Sequence, residues 1–379
     1  MRARLVLSCC IVTILPAVDT AAQTSRWTTR EILRLGSVDG PAALSNVFDA
    51  EFAPDGGFLV AQRDAGLAEF APDGEYRRTV GRQGPGPGEF TFMGRLGWKG
   101  DTLWAVDFNR LNLFHADLEF ARTIAPRLED PPAAIRMNTG PLMADGSLLF
   151  IPFPTQDGSP APIILADRTG KRIRVLARET DQQRQWSVSP PSGLPITTFD
   201  PWPSHTLWLH DPDGRSITVV DRRDEDSVDE PAFHIMRIAL SGDTVARATV
   251  RYAPLEITDD MSDAFFRARA ESAGTRPGLT VAAAEAMLRN VVELPPHLPP
   301  VTKLVPASAG TTWLRREDTG QPTVEWQVLD HAFNEIARLT LPSDLEVFRV
   351  TGDRILGRIR DELDVPYVVV HEIVNATRR

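Results

Sequence analysis

A repeat on either side of a glycine- and proline-rich stretch constrains the fold of this chain more than any other feature. The stretch is Gly81–Phe90 (GRQGPGPGEF), and its flanking segments align when Phe70 is placed on Phe114, a shift of 44 residues. At that shift the identical pairs include Leu59 and Leu103, Ala61 and Ala105, Leu67 and Leu111, Glu75 and Glu119, Arg78 and Arg122, and Thr79 and Thr123. Short apolar runs between tight turns, with a period of about 40–50 residues, are typical of β-propeller blades. The Gly-Pro stretch is therefore predicted to connect two blades.

Further apolar runs of the same kind predict an all-β fold, a six-bladed β-propeller. The last predicted unit begins at Glu346 and contains only three strands. Glu31–Leu35 (EILRL) has no neighbouring partner in the sequence, so we expect it to supply the fourth strand. Pairing the chain ends in this way closes the ring and removes exposed sheet edges. Blade three is predicted from Leu148 with three strands, and the polar segment Glu179–Pro203 is predicted to be a crossing without strands.

Residues 258–292 change the pattern, because their apolar residues recur at spacings of three and four. One predicted helical face carries Met261, Phe265 and Ala268. Thr258 or Ser262 is suited to cap the first helix, and Thr280 is suited to cap the second. The sequence therefore predicts a helical insertion between blades four and five. The insertion either covers apolar surface of a blade or serves as a lid or docking surface.

Residues 1–22 have the pattern of a signal peptide. Arg2 and Arg4 precede an apolar run that ends at Val18, and small residues precede Gln23. The run is shorter than the roughly 20 apolar residues that span a bilayer. We expect cleavage after Ala22, a mature single domain of residues 23–379, and a periplasmic or extracellular location. Both cysteines of the chain lie in the leader, so the mature fold must rely on a large apolar core without disulfides.

The mature chain is acidic, which limits its partners. The full chain has a net charge of −10, and removal of two arginines and one aspartate with the leader leaves −11. This charge disfavours nonspecific binding to nucleic acid or to anionic membranes. No other apolar stretch approaches the length of a membrane span. We expect a monomer whose partner is a small molecule or an envelope protein.

Four segments carry a family resemblance: Gly81–Phe90, Asp101–Leu111 (DTLWAVDFNRL), the helical insertion followed by Leu298–Val305 (LPPVTKLV), and Arg354–Val370 (RILGRIRDELDVPYVVV). They resemble exported bacterial six-bladed β-propellers related to NHL-repeat and TolB-like propellers. In that family the glycine-rich connector precedes the innermost strand of the next blade, and an Asp, Asn and Arg follow the second strand. Asp107, Asn109 and Arg110 match that pattern in compressed form. The resemblance implies the fold and export, and it implies no particular reaction.

Several chemistries are disfavoured by the motifs. Gly81–Phe90 lacks the Gly-Lys-Ser/Thr ending of a phosphate loop, and its prolines remove backbone N–H donors. His371-Glu372 begins like a zinc-protease motif, but Asn375 stands where the second histidine belongs. There is no G-x-S-x-G nucleophile elbow. We expect no cofactor, and the lesser alternative is calcium bound by acidic turn residues, namely Asp221, Asp224, Asp226 and Asp229.

The candidate ligand-binding residues are charged side chains expected where second strands run into turns. They are Arg63, Asp64, Asp107, Arg110, His210, Arg315, Arg316, Glu317, Arg360 and Asp361. Equivalent ends of successive blades meet at one rim of a propeller, so these side chains could surround the channel mouth. Arginine side chains bind carboxylates and phosphates bidentately, which favours an anionic or sugar-acid ligand. The alternative is that they pair with neighbours and hold the hairpins together.

The sequence leaves three functions open. The leading hypothesis is an exported, non-catalytic propeller that recognises a small molecule or protein at one face of the ring. The second is a propeller enzyme, a lactonase-like hydrolase or a lyase, with a metal at the channel mouth. The third is a structural subunit of an envelope complex.

Overall fold

The computed structural model describes residues 25–132, 135–152, 160–179, 184–190, 195–222, 231–273, 279–316 and 319–374. The predicted signal peptide, the candidate Glu317 and the acidic residues Asp224, Asp226 and Asp229 lie outside these ranges. Two strands, β1 (Ser25–Arg26) and β2 (Thr28–Leu35), come before blade one in the chain.

The first three blades follow one another along the chain, each with four antiparallel strands. Blade one contains β3 (Val47–Phe52), β4 (Phe58–Gln62), β5 (Gly66–Phe70) and β6 (Tyr76–Val80). Blade two contains β7 (Met93–Lys99), β8 (Thr102–Asp107), β9 (Arg110–Phe114) and β10 (Phe120–Ile124). Blade three contains β11 (Met137–Leu142), β12 (Leu148–Pro152), β13 (Ala161–Ala166) and β14 (Arg172–Glu179).

A hairpin, three more blades and two helices complete the chain. The hairpin is formed by β15 (Gln185–Val188) and β16 (Ile196–Phe199). Blade four contains β17 (Leu207–His210), β18 (Ser216–Asp221), β19 (Ala232–Ala239) and β20 (Thr244–Arg251), and it is followed by α1 (Asp259–Ala273) and α2 (Val281–Arg289). Blade five contains β21 (Lys303–Pro306), β22 (Thr312–Arg315), β23 (Thr323–Leu329) and β24 (Glu335–Pro342). Blade six contains β25 (Glu346–Thr351), β26 (Arg354–Arg360), β27 (Pro366–Val374) and β2.

The N-terminal strand closes the ring, as the sequence predicts. β2 pairs antiparallel with β27, from Thr28 opposite Val374 to Leu35 opposite Val368. β1 continues outside blade five, where Ser25 pairs in parallel with Ala337 of β24. Leu35 is fully buried, so the closure adds apolar contacts as well as hydrogen bonds.

The sequence repeat coincides with equivalent strands of blades one and two. β5 and β9 begin at Gly66 and Arg110, and the outer strands β6 and β10 begin at Tyr76 and Phe120, so both pairs are 44 residues apart. Apolar side chains of the two blades, including Leu59, Leu103 and Phe114, fill the space between them. The repeat is therefore a repeat of packing surfaces, because each blade must bury both of its faces.

The glycine-rich connector packs against blade two. Phe90 is buried, and its ring stacks on that of Phe114 with 6.0 Å between centroids. Gly81 has a φ of +74°, and a Cβ there would lie 2.6 Å from the ring of Phe90. A side chain at this position would displace the aromatic anchor, so glycine is required for both conformation and space.

Two parts of the predicted layout are wrong. Blade three has a fourth, innermost strand, β11, which the sequence reading misses because Gly140 and Pro141 interrupt its apolar pattern. The predicted strand-free crossing contains the β15–β16 hairpin. Val188 and Ile196 are buried there, although the surrounding segment is polar and proline-rich.

The helical insertion between blades four and five is confirmed. Thr258 Oγ1 accepts a hydrogen bond from the backbone N–H of Met261 at 3.3 Å, and Thr280 Oγ1 accepts one from that of Ala283 at 3.2 Å. Both threonines therefore cap their helices.

The buried face of α1 differs from the predicted one. Phe266 and Ala270 of α1 are buried, whereas Ala268 is exposed. They pack with Leu288 of α2 and with Val188 and Ile196 of the hairpin. The insertion thus forms an apolar core of its own with β15 and β16. Neither helix in the described ranges is both long and apolar enough to cross a bilayer.

Candidate functional site

The antiparallel strand order divides the ring into two faces. In each blade the first and innermost strand begins on the face where the second strand ends. We call this the strand-two face, and the one where the first strands end the opposite face. The innermost strands, β3, β7, β11, β17, β21 and β25, surround the central channel. Side chains of these strands therefore determine the chemistry of the channel.

An ion-pair network inside the channel joins the last blade to the first. Arg349 of β25 lies 2.9 Å from a carboxylate oxygen of Asp49 and 2.6 Å from one of Glu51, both in β3. Arg349 also donates a hydrogen bond to the carbonyl of Leu96 in blade two at 2.7 Å. Burial lowers the pKa of Arg349, but the two carboxylates raise it overall; burial raises the pKa of Glu51 despite its pairing. The charges of this network are paired, and it holds three blades together.

Two cations lie nearer the strand-two face, and they are less completely paired. Lys303 begins β21, and its ammonium is 3.5 Å from the carboxylate of Glu346. Burial lowers the pKa of Lys303 to about 8; Glu346 opposes the shift and Arg95 adds to it. Arg95 of β7 is surrounded by protein atoms, which lowers its pKa, yet its side chain remains exposed to the open space of the channel.

A cavity of about 740 Å³ opens at the strand-two face beside blades five and six, under helix α1. We call it the insertion cavity. Its lining includes Pro201, Trp202, Met261, Phe265, Lys303, Arg315, Asp344, Glu346 and Arg358. The helical insertion supplies the apolar wall, and the innermost and second strands of blades five and six supply the charged wall. The cavity therefore combines a charged floor with an aromatic cover.

The cations of the insertion cavity differ in how their donors are used. Arg358 donates to the carbonyl of Val47 and is paired with Glu346. Arg315 donates to the carbonyl of Ser343 at 2.9 Å. Lys303 has the 3.5 Å contact with Glu346, which uses one of its three N–H donors. Lys303 therefore keeps two N–H donors for a ligand.

A second opening on the same face is mostly apolar. This aromatic cleft has a volume of about 590 Å³ and lies beside blades one to three. Its lining includes Phe48, Phe92, Arg95, Val106, Phe108, Asn138, Pro141 and Ile151. The two openings flank the channel and do not share lining residues.

The mouth on the opposite face is narrow. Its cavity has a volume of about 170 Å³, and its lining includes Glu51, Trp104, His210 and Arg349. The ring of His210 meets that of Trp104 edge-on at 5.5 Å, and its Nδ1 is buried with no hydrogen-bond partner among the described residues. Burial, together with the charges of Arg349 and Arg95, lowers the pKa of His210 to about 3. His210 is therefore neutral at physiological pH.

The predicted site residues Asp107 and Arg110 hold the glycine-rich connector. The buried carboxylate of Asp107 accepts hydrogen bonds from the backbone N–H groups of Thr91 and Phe92 at 2.9 and 2.6 Å. Arg110 is 2.7 Å from Asp107 and donates to the carbonyls of Pro85 and Glu89. The connector residues thus use the donors of Arg110, which is the alternative role that the sequence left open.

Arg63 and Asp64 follow the end of β4, as predicted. The Arg63 guanidinium lies 4.1 Å from the ring centre of Phe48 and 4.4 Å from that of Phe92, at the edge of the aromatic cleft. Asp64 accepts hydrogen bonds from Ser45 Oγ and from the side-chain amide of Asn46. Asp64 therefore holds the loop before β3.

The remaining predicted residues separate into three places. Arg315 lines the insertion cavity, whereas the charge of Arg316 acts on Glu335 in the outer strand of blade five. Arg360 forms a 3.0 Å ion pair with Asp364, and Asp361 accepts backbone hydrogen bonds within the same turn. His210 ends β17, the first strand of its blade, so its expected place with the others is wrong: it lies at the opposite face.

Sequence reasoning missed the charges of the innermost strands. Asp49, Arg95, Lys303, Glu346 and Arg349 lie in first strands, which the sequence reading treated only as walls. A signal was present, because a charged residue inside an otherwise apolar first strand must face the channel. Among the described residues, no group of three or more His, Asp or Glu side chains is arranged to hold a metal ion.

Comparison with known proteins gives matches of fold alone. No protein-family model and no curated protein matches the chain. A Bacteroides fragilis protein provisionally named an exported protein aligns with a TM-score of 0.49 and 9% identity over 92% of this chain and 96% of its own. A member of the DUF4221 family from Bacteroides vulgatus aligns with a TM-score of 0.44 and 8% identity over 93% of this chain and 100% of its own. A protein provisionally named a gluconolactonase aligns with a TM-score of 0.43 and 13% identity over 92% of each chain. At these values none of the matches supports an argument about function.

Proposed function

We propose that this protein is an exported β-propeller of the NHL-repeat and TolB-like type that binds a small organic acid in the insertion cavity. Export is supported by the signal-peptide pattern of residues 1–22, and the family by the connector and strand-two motifs. The observation that carries the proposal is the convergence of Lys303, Arg315 and Arg358, from three different strands, on one cavity.

The local charge favours an anion although the whole chain is acidic. Glu346 is shared by Lys303 and Arg358, so the two cations are paired with one carboxylate. The 3.5 Å contact between Lys303 and Glu346 is too long for a strong charge-assisted hydrogen bond. A ligand carboxylate can therefore approach Lys303 and gain a shorter bond than the one already present.

The aromatic cover favours an organic acid over a bare inorganic anion. Trp202 and Phe265 lie 6.3 Å apart between ring centres, and Met261 adjoins them in the lining. Aromatic side chains bind the apolar faces of ligands, and their flat surfaces suit a sugar ring. A sugar acid presents both an apolar ring face and a carboxylate, which is the combination that this cavity accommodates.

The proposal is tested by screening the mature chain by thermal shift against D-galacturonate, D-glucuronate and D-gluconate, followed by calorimetry. The decisive variant is Lys303→Met, which keeps the length of the side chain but removes its charge. Its matched control is Lys171→Met, at an exposed turn of blade three. Loss of a charge-assisted contact costs about 1.5–3 kcal/mol, so the affinity of Lys303→Met should fall at least about ten-fold. Equal affinities for both variants, or no binding of any sugar acid, would exclude this site.

Lys303 also supports a second candidate, a proton-abstracting lyase. A lysine with a pKa of about 8 can serve as a general base near neutral pH, and Glu346 is close enough to exchange a proton with it. Incubating the protein with oligogalacturonides and measuring the ultraviolet absorbance of unsaturated products distinguishes the two functions. Product that requires Lys303 indicates a lyase, and tight binding without product indicates a binding protein.

A further inference from the structure

The aromatic cleft on the other side of the channel carries an inference that is independent of the insertion cavity. Phe92 and Phe108 expose 46% and 44% of their surfaces, and Phe48 lies beside them in the lining. Exposed aromatic side chains that cluster around one opening indicate an interaction site, whereas scattered ones do not.

Phe108 occupies a turn position that favours a different residue. It is the first of two residues between β8 and β9, where Asp107 pairs with Arg110, and it has a φ of 55°. Two-residue hairpin turns with positive φ at the first position favour glycine, and bulky residues there are strained. Backbone strain of this kind is concentrated at functional sites. The turn therefore holds an aromatic side chain at the cleft at the expense of its own conformational preference.

Arg95 lies in the lining of the same cleft, and it has no hydrogen bond or ion pair with any described residue. The carboxylates of Asp49 and Glu346 affect the pKa of Arg95 only through space. Asp49 forms its ion pair with Arg349, and Glu346 forms one with Arg358. The buried side-chain oxygen of Asn138, also in the lining, has no hydrogen-bond partner among the described residues. The apolar cleft thus contains polar groups that lack protein partners.

We propose that the aromatic cleft binds a monocarboxylate with an apolar body, such as a medium-chain fatty acid. The carboxylate pairs with the guanidinium of Arg95, which has donors for a bidentate contact. The hydrocarbon chain packs against Phe108 and against the parts of Phe48 and Phe92 that the Arg63 guanidinium leaves uncovered, which removes apolar surface from water. Charge complementarity selects this occupant over an uncharged apolar segment of a protein.

The test uses decanoate and measures its binding to the mature chain by calorimetry. Arg95→Met removes the charge and should weaken decanoate binding at least ten-fold, while binding of decan-1-ol should change little. Phe108→Gly removes the aromatic side chain and suits the turn, so it should weaken decanoate binding several-fold while the melting temperature stays equal or rises. Lys171→Met, at the exposed turn of blade three, should leave decanoate binding unchanged.

Three results would overturn the proposal. The first is equal decanoate affinity of the wild type and Arg95→Met, and the second is no decanoate binding by a folded wild type. The third is tighter binding of an uncharged apolar peptide than of decanoate, because it would identify the cleft as a protein-docking surface. Unchanged sugar-acid affinity in Lys303→Met contradicts the sugar-acid proposal, and unchanged decanoate affinity in Arg95→Met contradicts this one. The two failures are therefore distinguishable.

Discussion

The Asp107–Arg110 cluster of blade two and the Lys303–Glu346 cluster of blades five and six lie at the same face, yet their charges are used differently. Arg110 is paired with the buried Asp107 and also donates to backbone carbonyls of the connector. Lys303 has a 3.5 Å contact with a carboxylate that is 39% exposed, at the wall of a large cavity. The first cluster stabilises a loop, and the second is available to a ligand.

The comparison shows that charge at a strand end does not by itself indicate a binding site. What decides is whether backbone groups of a neighbouring loop already use the donors and acceptors. The Gly-Pro connector passes next to Arg110 and satisfies it, whereas helix α1 arches over Lys303 and leaves a cavity.

Opening the ring would remove the frame that both clusters share, and we expect this to have the largest effect. A chain that begins after Gly36 lacks β2, so β27 becomes an exposed edge and the contacts of Leu35 are lost. The melting temperature should fall by more than about 10 °C, because an entire strand and its buried apolar surface are missing. Calorimetric scans of the truncated and full mature chains check this, and equal melting temperatures would contradict ring closure by β2.

Arg110→Ala should destabilise the fold without affecting sugar-acid binding. The substitution leaves the fully buried carboxylate of Asp107 without its cation, which costs about 2–4 kcal/mol of the free energy of unfolding. Urea unfolding measures this loss, and calorimetry at a temperature where the variant is folded measures ligand affinity. A stable Arg110→Ala variant with lost affinity would reverse the roles assigned to the two clusters.

His210 at the opposite face provides a pH-dependent comparison with both clusters. The unfolded chain protonates this histidine below about pH 6.5 and the folded chain only near pH 3, so acidification in this window favours unfolding. Each pH unit costs up to about 1.4 kcal/mol, and His210→Gln removes this contribution. Between about pH 7.5 and pH 5 the variant should lose about 1–2 kcal/mol less stability than the wild type. Parallel losses in urea unfolding would mean that His210 is protonated in the folded state.

Glu346→Gln should have the smallest effect on stability and should strengthen ligand binding. Glu346 is partly exposed, so its ion pair with Lys303 contributes less than about 1 kcal/mol to stability. Removing its charge takes away the competitor for Lys303, and sugar-acid affinity should rise a few-fold at about pH 6, where Lys303 stays protonated although the loss of Glu346 lowers its pKa. Asp107→Asn is the matched control, because the same loss of charge at the buried carboxylate should lower stability and leave affinity unchanged. Weaker sugar-acid binding by Glu346→Gln would indicate that Glu346 positions the ligand.

The sequence predicted those parts of the fold whose pattern is local. The 44-residue repeat predicted blades one and two, and the orphan strand Glu31–Leu35 predicted ring closure. β11 was not predicted because Gly140 and Pro141 interrupt the apolar pattern of this innermost strand. The buried hairpin was not predicted because Val188 and Ile196 are buried apolar residues of a segment that is otherwise mostly polar. Packing of distant segments decides these cases, and local patterns do not report it.

The candidate site was predictable only in part for the same reason. Arg315 lies at the strand-two face and lines a cavity, whereas Arg110, which was predicted with it, uses its donors on the connector. Both arginines contact residues 25–28 positions away, Arg110 at Pro85 and Arg315 at Ser343, and local sequence patterns do not report such contacts. Lys303 was missed because it lines a cavity whose other wall is formed by α1, and that arrangement exists only in the folded ring.

The pH dependence of sugar-acid affinity tests the central claim most directly. Binding of D-galacturonate should be measured by calorimetry from about pH 7 to about pH 9.5, for the wild type and for Lys303→Arg. The wild-type ammonium loses its proton as the pH rises through about 8, so wild-type affinity should fall about ten-fold over this range. The arginine variant keeps its charge and should bind almost equally at both ends. An affinity that is independent of pH in the wild type, or that falls equally in both proteins, would contradict binding at Lys303.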